Sequence, residues 1–65
     1  MPATFELYED RKGEWRWRLR HDNGRVIADS GEGYGSKEKA IQGIETVKRN
    51  AAEAPIEGLR ETPTI

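Results

Sequence analysis

Three arginines stand at alternate positions in Glu14-Trp15-Arg16-Trp17-Arg18-Leu19-Arg20. Alternate residues of a strand share a face, so Arg16, Arg18 and Arg20 form one row of guanidinium groups. Such a row with an aromatic beside it, here Tyr8, suits phosphates, carboxylates or the backbone of single-stranded nucleic acid. Nucleic-acid faces usually carry several exposed aromatics, whereas Trp15 and Trp17 point to the opposite side. A second candidate is the loop Gly31-Glu32-Gly33-Tyr34-Gly35-Ser36-Lys37, between a strand and a helix start. Free backbone N–H groups and the helix dipole favour an anion there, and Gly33, Tyr34, Ser36 and Lys37 would line the site. The order Gly-Ser-Lys is not a Walker loop, the glycine spacing is not the dinucleotide fingerprint, and Glu32 repels phosphate. Turn geometry already accounts for each glycine and helix capping for Ser36, and this is the favoured reading of the loop. His21 stands alone at a strand end, with no oriented nucleophile or ligand set. The carboxylates are scattered. No catalytic, cofactor or metal-binding residue is assigned, and the chain reads as non-enzymatic.

The 65 residues include 11 basic and 12 acidic side chains, for a net charge of −1. That balance argues against broad attraction to nucleic acid or anionic membranes. Cysteine is absent and histidine occurs once. Disulfides, thiolate chemistry, iron–sulfur clusters, cysteine zinc sites and a His-pair metal site within one chain are thereby excluded. No run approaches the ~18 apolar residues of a membrane span, and no basic segment leads into an apolar one as in a secretory signal. The expectation is a small cytoplasmic protein forming a single domain over residues 1–65.

The elements that must hold these residues follow from periodicity. Thr4-Phe5-Glu6-Leu7-Tyr8-Glu9 alternates, with Phe5 and Leu7 on one face. Asp10-Arg11-Lys12-Gly13 suits a type I turn closed by a left-handed glycine bulge. Pairing Asp10 with Glu14 then sets Leu7 against Trp17, Phe5 against Leu19, Tyr8 against Arg16 and Glu6 against Arg18. A slip of one residue would put Leu7 beside an arginine, so the pattern fixes the register. Asn23-Gly24 signals a second hairpin leading into Arg25–Asp29. A two-residue type I′ loop pairs Asp22 with Arg25, places Ala28 beside Leu19, and sets Arg18 between Glu6 and Asp29. The alternative, a bulged three-residue loop, pairs His21 with Arg25.

After the glycine-rich connection, which reads as flexible, Ser36 caps a helix running to about Asn50–Ala52. Ala40, Ile44, Val47 and Ala51 form its apolar stripe, with Ile41 on the flank. Gly43 inside this helix is either a tolerated imperfection or a point of close approach, under a tryptophan. Tyr34 packs over the helix start, or lines a pocket at a dimer interface. Ile56–Arg60 is a final strand or a loop, and residues 61–65 form a frayed tail. The result is an α+β fold. A three-stranded antiparallel meander precedes one helix on a sheet face and a short C-terminal strand, with the core in residues 4–60. The core comprises Phe5, Leu7, Trp15, Trp17, Leu19, Val26, Ala28 and the helix stripe. Below ~70–80 residues one core rarely supplies more than ~3–5 kcal/mol without staples. Oligomerisation is the remaining staple, and a strand beyond Pro55 offers a route by pairing with a second subunit.

Phe5-Glu6-Leu7-Tyr8, Gly13-Glu14-Trp15-Arg16-Trp17-Arg18-Leu19, Asn23-Gly24, Ser30-Gly31-Glu32-Gly33-Tyr34 and Gly43-Ile44-Glu45 resemble the YegP-like family. These are small UPF0339-type proteins carrying a domain of unknown function. The resemblance covers roughly residues 4–52 and departs at Gly35, where serine is the common residue, and in the tail after Ala54. It implies three strands, a helix and a last strand, with two units sharing one sheet by swapping that last strand. For a one-unit chain it implies a homodimer, and it brings no activity with it. The functional expectation is a small dimeric module for protein interaction or structure, whose first partner is itself and whose second is an unknown protein. The alternative is weak nucleic-acid or anion binding through Arg16, Arg18 and Arg20 or the glycine loop.

Overall fold

The computed structural model describes residues 2–59. The two alternating segments form strands β1 (Ala3–Glu9) and β2 (Trp15–His21), followed by β3 (Val26–Asp29) and helix α1 (Lys37–Asn50). The sheet is antiparallel, in the order β1-β2-β3. The first hairpin has the register set by the apolar pattern, with Phe5 opposite Leu19, Leu7 opposite Trp17, Glu6 opposite Arg18 and Tyr8 opposite Arg16. Its turn is the glycine bulge: Gly13 has φ +83° and donates to the Asp10 carbonyl at 3.0 Å, while Asp10 N–H donates to Glu14 at 2.8 Å.

The second hairpin corrects the type I′ expectation. Type I′ needs positive φ at both central residues, and Asn23 does not have it. Gly24 alone does, at +95°. It donates to the His21 carbonyl at 2.9 Å, and His21 N–H donates to Arg25 at 2.7 Å. This repeats the construction of the first turn. Farther along, Leu19 faces Ala28 and Arg18 faces Asp29, as the shorter loop would require. The two registers coexist because the ladder shifts between Arg20, opposite Val26, and Leu19, opposite Ala28. Ile27 is the extra residue of that bulge.

The glycine-rich connection is less free than its composition suggests. Ser30 N–H donates to the Trp17 carbonyl at 2.9 Å, and Tyr34 and Trp15 exchange both backbone bonds at 2.8 and 2.9 Å. The chain therefore keeps following β2, with Gly31–Gly33 looped out and Gly31 at φ +75°.

Helix α1 starts as capping chemistry dictates. Ser36 is extended, and its Oγ accepts the Lys39 N–H at 3.2 Å. Glu38 in the first turn and Lys48 and Arg49 in the last complement the dipole. The helix lies across β2 and β1 and leaves β3 uncovered. Trp17, Ala40 and Ile44 are buried, and Phe5 meets the Trp17 ring edge-on with centroids 5.4 Å apart. Phe5, Leu7, Trp15, Leu19 and Val47 are half-buried. Val26, Ala28 and Ala51, expected in the core, are exposed, because no element among the described residues covers β3 and the stripe outruns the sheet at Ala51.

No strand forms over Pro55–Leu59, which has no regular structure and is exposed within the single chain. Arg60, the end of the expected last strand, and the tail at 61–65 lie outside the described residues.

Candidate functional site

The arginine row lies on the sheet face opposite the helix. Each guanidinium already has a carboxylate. Arg16 Nε donates to Asp10 at 2.8 Å, and Arg18 and Arg20 Nε both donate to Glu6, at 2.7 and 3.1 Å. Arg20 Nη1 also donates to the Gly24 carbonyl at 2.8 Å. Arg18 lies 4.9 Å from the centroid of the Tyr8 ring, a diagonal neighbour, although register places Tyr8 opposite Arg16. The face is an ordered lattice of alternating charge rather than a free cationic strip. These carboxylates titrate below their ordinary values. For Glu6 the first cause is the hydrogen bond from Arg18, then that from Arg20. For Asp10 it is the bond from Arg16, then the Glu14 N–H. The same Asp10 contact raises Arg16.

Asp10 does more than the sequence reading assigned. Its Oδ1 accepts both Lys12 and Glu14 N–H at 2.9 Å while Oδ2 anchors Arg16. The signal was available: pairing Asp10 with Glu14 puts Arg16 on its diagonal. Asp29 departs from expectation. It faces Arg18 in register, but its carboxylate accepts the Gly31 N–H at 3.0 Å. A local turn bond thus takes the carboxylate that the expected cross-strand row would have used.

The glycine loop is packed rather than open. A Cβ on Gly33 would meet the Glu14 side chain, with Cβ at 2.7 Å and Cδ at 2.8 Å. The Tyr34 hydroxyl reaches Gly43 in the middle of α1, not the helix start. Gly43 is thus the point of close approach, with Trp17 Nε1 next nearest. That indole N–H is buried without an acceptor among the described residues. Ser36 spends its hydroxyl on the helix cap, and Lys37 stands 5.6 Å from the Trp15 ring centroid. The loop residues Gly33, Tyr34, Ser36 and Lys37 are therefore drawn into packing and capping, not gathered around one point. His21 Nδ1 accepts the Asn23 N–H at 3.2 Å and lies 2.9 Å from an Asp22 oxygen. The described residues enclose no cavity and no group of three metal-ligating side chains. Among them no helix is long and apolar enough to cross a membrane.

Residues 10–57, from the Asp10 turn to the segment after the helix, match the family described as "Domain of unknown function (DUF1508)". The chain belongs to this family. Relatives bear out the UPF0339-type resemblance. A UPF0339 protein of Methanosarcina acetivorans is 52% identical over 54 residues, covering 83% of this chain and 91% of that one. A UPF0339 protein of Treponema denticola is 45% identical over 56 residues, covering 86% and 95%. The "UPF0339 protein in ptx operon 5'region" of Stutzerimonas stutzeri is 49% identical over 51 residues, 78% of this chain but 45% of its own. This DUF1508 chain thus spans about half of that relative's length. A solution structure of a protein from Haloferax volcanii is 58% identical, with a TM-score of 0.82 over 88% of this chain and 95% of that one. It supports the same meander and helix.

Proposed function

We propose that the chain is a non-enzymatic homodimeric module whose two copies complete one sheet and one core, and which then serves protein interaction or structure. The observation that carries this is the unfinished core. Among the described residues three apolar side chains are buried, while Val26 is 48% exposed, Ile27 56%, Ile41 38%, Ile56 101% and Leu59 82%. In this proposal the segment Ile56–Arg60 of each copy pairs as a strand with the other, where its backbone donors and acceptors find partners. The length of the Stutzerimonas relative supports a two-unit assembly, since the stretch outside the match has room for a second unit of equal size.

The pairing of Arg16, Arg18 and Arg20 weighs against the alternative of anion or nucleic-acid binding, because an incoming phosphate would compete with Glu6 and Asp10. Sedimentation equilibrium tests the proposal. A concentration-dependent dimer is the expected result. A monomer persisting at high micromolar concentration would overturn it.

A further inference from the structure

Asn23-Gly24 serves the fold as a turn, but it also joins an amide side chain to the least hindered backbone nitrogen available. Asn23 is exposed, and nothing lies within 4 Å of where a Cβ on Gly24 would stand. Asn23 Oδ1 accepts the Arg25 N–H at 2.9 Å. That bond closes the side chain onto the backbone two residues on, an Asx turn that spans Gly24. It also draws electron density from Cγ, as a donor does at any developing oxyanion.

We propose that Asn23 is a site of spontaneous deamidation in the folded protein, and that its product releases the β3 edge. The Gly24 nitrogen loses its proton to solvent base and attacks Asn23 Cγ. A new N–Cγ bond forms, the Cγ–Nδ2 bond breaks, and ammonia leaves with a proton from water. The five-membered succinimide then adds water at one of its two carbonyls. Opening at one gives aspartate, and opening at the other gives isoaspartate, whose backbone runs through Cγ. No oxidant or reductant is involved.

The turn sets the rate. Gly24 N–H donates to the His21 carbonyl at 2.9 Å, so this exposed bond must open before the nitrogen can attack. Isoaspartate lengthens a three-residue loop whose ends are fixed by the bond from His21 N–H to Arg25. The new carboxylate also falls beside Asp22. Both effects weaken the hairpin bonds that hold Val26 opposite Arg20. Asn50 is an internal control. It lies in α1, its Nδ2 donates to the Thr46 carbonyl at 2.8 Å, and the N–H of the next residue, Ala51, donates to Val47 at 2.8 Å.

The experiment ages the folded full chain in warm neutral buffer, beside the same chain unfolded in denaturant. Trypsin then releases residues 21–25 as one peptide. Its expected change is a mass gain of about 1 Da, divided between two isomers that separate by chromatography. The folded rate should be no more than about tenfold below the unfolded one, the penalty of opening one exposed hydrogen bond. The peptide carrying Asn50 should stay unchanged, and Asn23→Gln should abolish the gain. Hydrogen exchange on aged protein should show faster exchange in Val26–Asp29 than in fresh protein. A folded chain that stays intact at Asn23 while the unfolded chain converts would overturn the site. Conversion without loss of β3 protection would overturn the release.

Discussion

The hydroxyl of Tyr34 stands 2.6 Å from where a Cβ on Gly43 would be, so the middle of helix α1 is open on one side to admit a loop side chain. Tyr34 cannot easily give way, because its backbone is bonded to Trp15 in both directions. A methyl at Gly43 would therefore have to push the ring or the helix. Helix propensity alone favours alanine over glycine by ~1 kcal/mol, and overpacking opposes it by about 1–3 kcal/mol. Gly43→Ala is expected to destabilise, and Tyr34→Phe in the same chain to restore part of the loss by removing the oxygen. Denaturant midpoints for the two single variants and the double variant decide this. A Gly43→Ala chain more stable than wild type would place Tyr34 elsewhere.

Trp17 is 6% exposed and packs against Phe5 on one side and the Gly43 turn on the other. Trp17→Ala should cost about 3–5 kcal/mol, enough to unfold a domain with so few buried residues. Trp17→Phe should cost much less. It keeps a ring against Phe5 and removes an indole N–H that is buried without an acceptor. Circular dichroism melts should separate the variants. Equal losses for both would mean that the indole edge makes a contact other than with Gly43.

The charged lattice predicts an acid limb. Glu6 and Asp10 titrate lower in the folded chain than in the unfolded one because their arginines favour the ionised form. Their stabilisation is therefore present above the unfolded carboxylate value, ~4, and is lost as pH falls through the lowered folded values. Urea midpoints should fall more steeply with acid for wild type than for a Glu6→Gln, Asp10→Asn chain. The variant should be the less stable of the two at neutral pH, where the charges are screened but paired. Parallel slopes would show that these pairs add nothing to the fold.

Much of this molecule was legible because period-two patterning and turn chemistry act locally. Leu7 opposite Trp17, the Asp10–Gly13 turn and the Ser36 cap each needed only a few neighbouring residues. The second hairpin was harder because two constraints disagreed. Turn preference at Asn23-Gly24 settled on a three-residue loop, while the Leu19–Ala28 contact required the other register, and the bulge at Ile27 satisfied both. Neither constraint alone announces a bulge. The approach of Tyr34 to Gly43 was hidden for a different reason. It depends on the Gly31–Gly33 excursion returning to β2 at Trp15, a contact between residues far apart in sequence. The arginine row follows from the alternation of β2, and the Asp10–Arg16 pair from the register, but the turn bond that takes Asp29 away from Arg18 depends on how the chain leaves β3.

The last prediction concerns Pro55–Leu59. Within one chain this segment satisfies none of its apolar side chains, and Ile56 and Leu59 stand almost wholly in solvent. If it completes a partner's sheet, cutting after Ala54 removes the cross-subunit strand from both copies and bares two edges per dimer. The truncated chain should then run as a monomer that is largely unfolded, or should aggregate through the bare strands. The cut also removes core, which by itself can prevent folding, so a milder change is needed beside it. Ile56→Asp together with Leu59→Asp keeps the backbone and its hydrogen-bonding groups but opposes burial, and should weaken the dimer without altering the hairpins of the monomer. Size-exclusion chromatography with circular dichroism on both chains gives the answer. A folded dimer surviving the cut after Ala54 would sink the swap and move the interface to the uncovered β3, where Val26 and Ile27 are exposed, or to the arginine face.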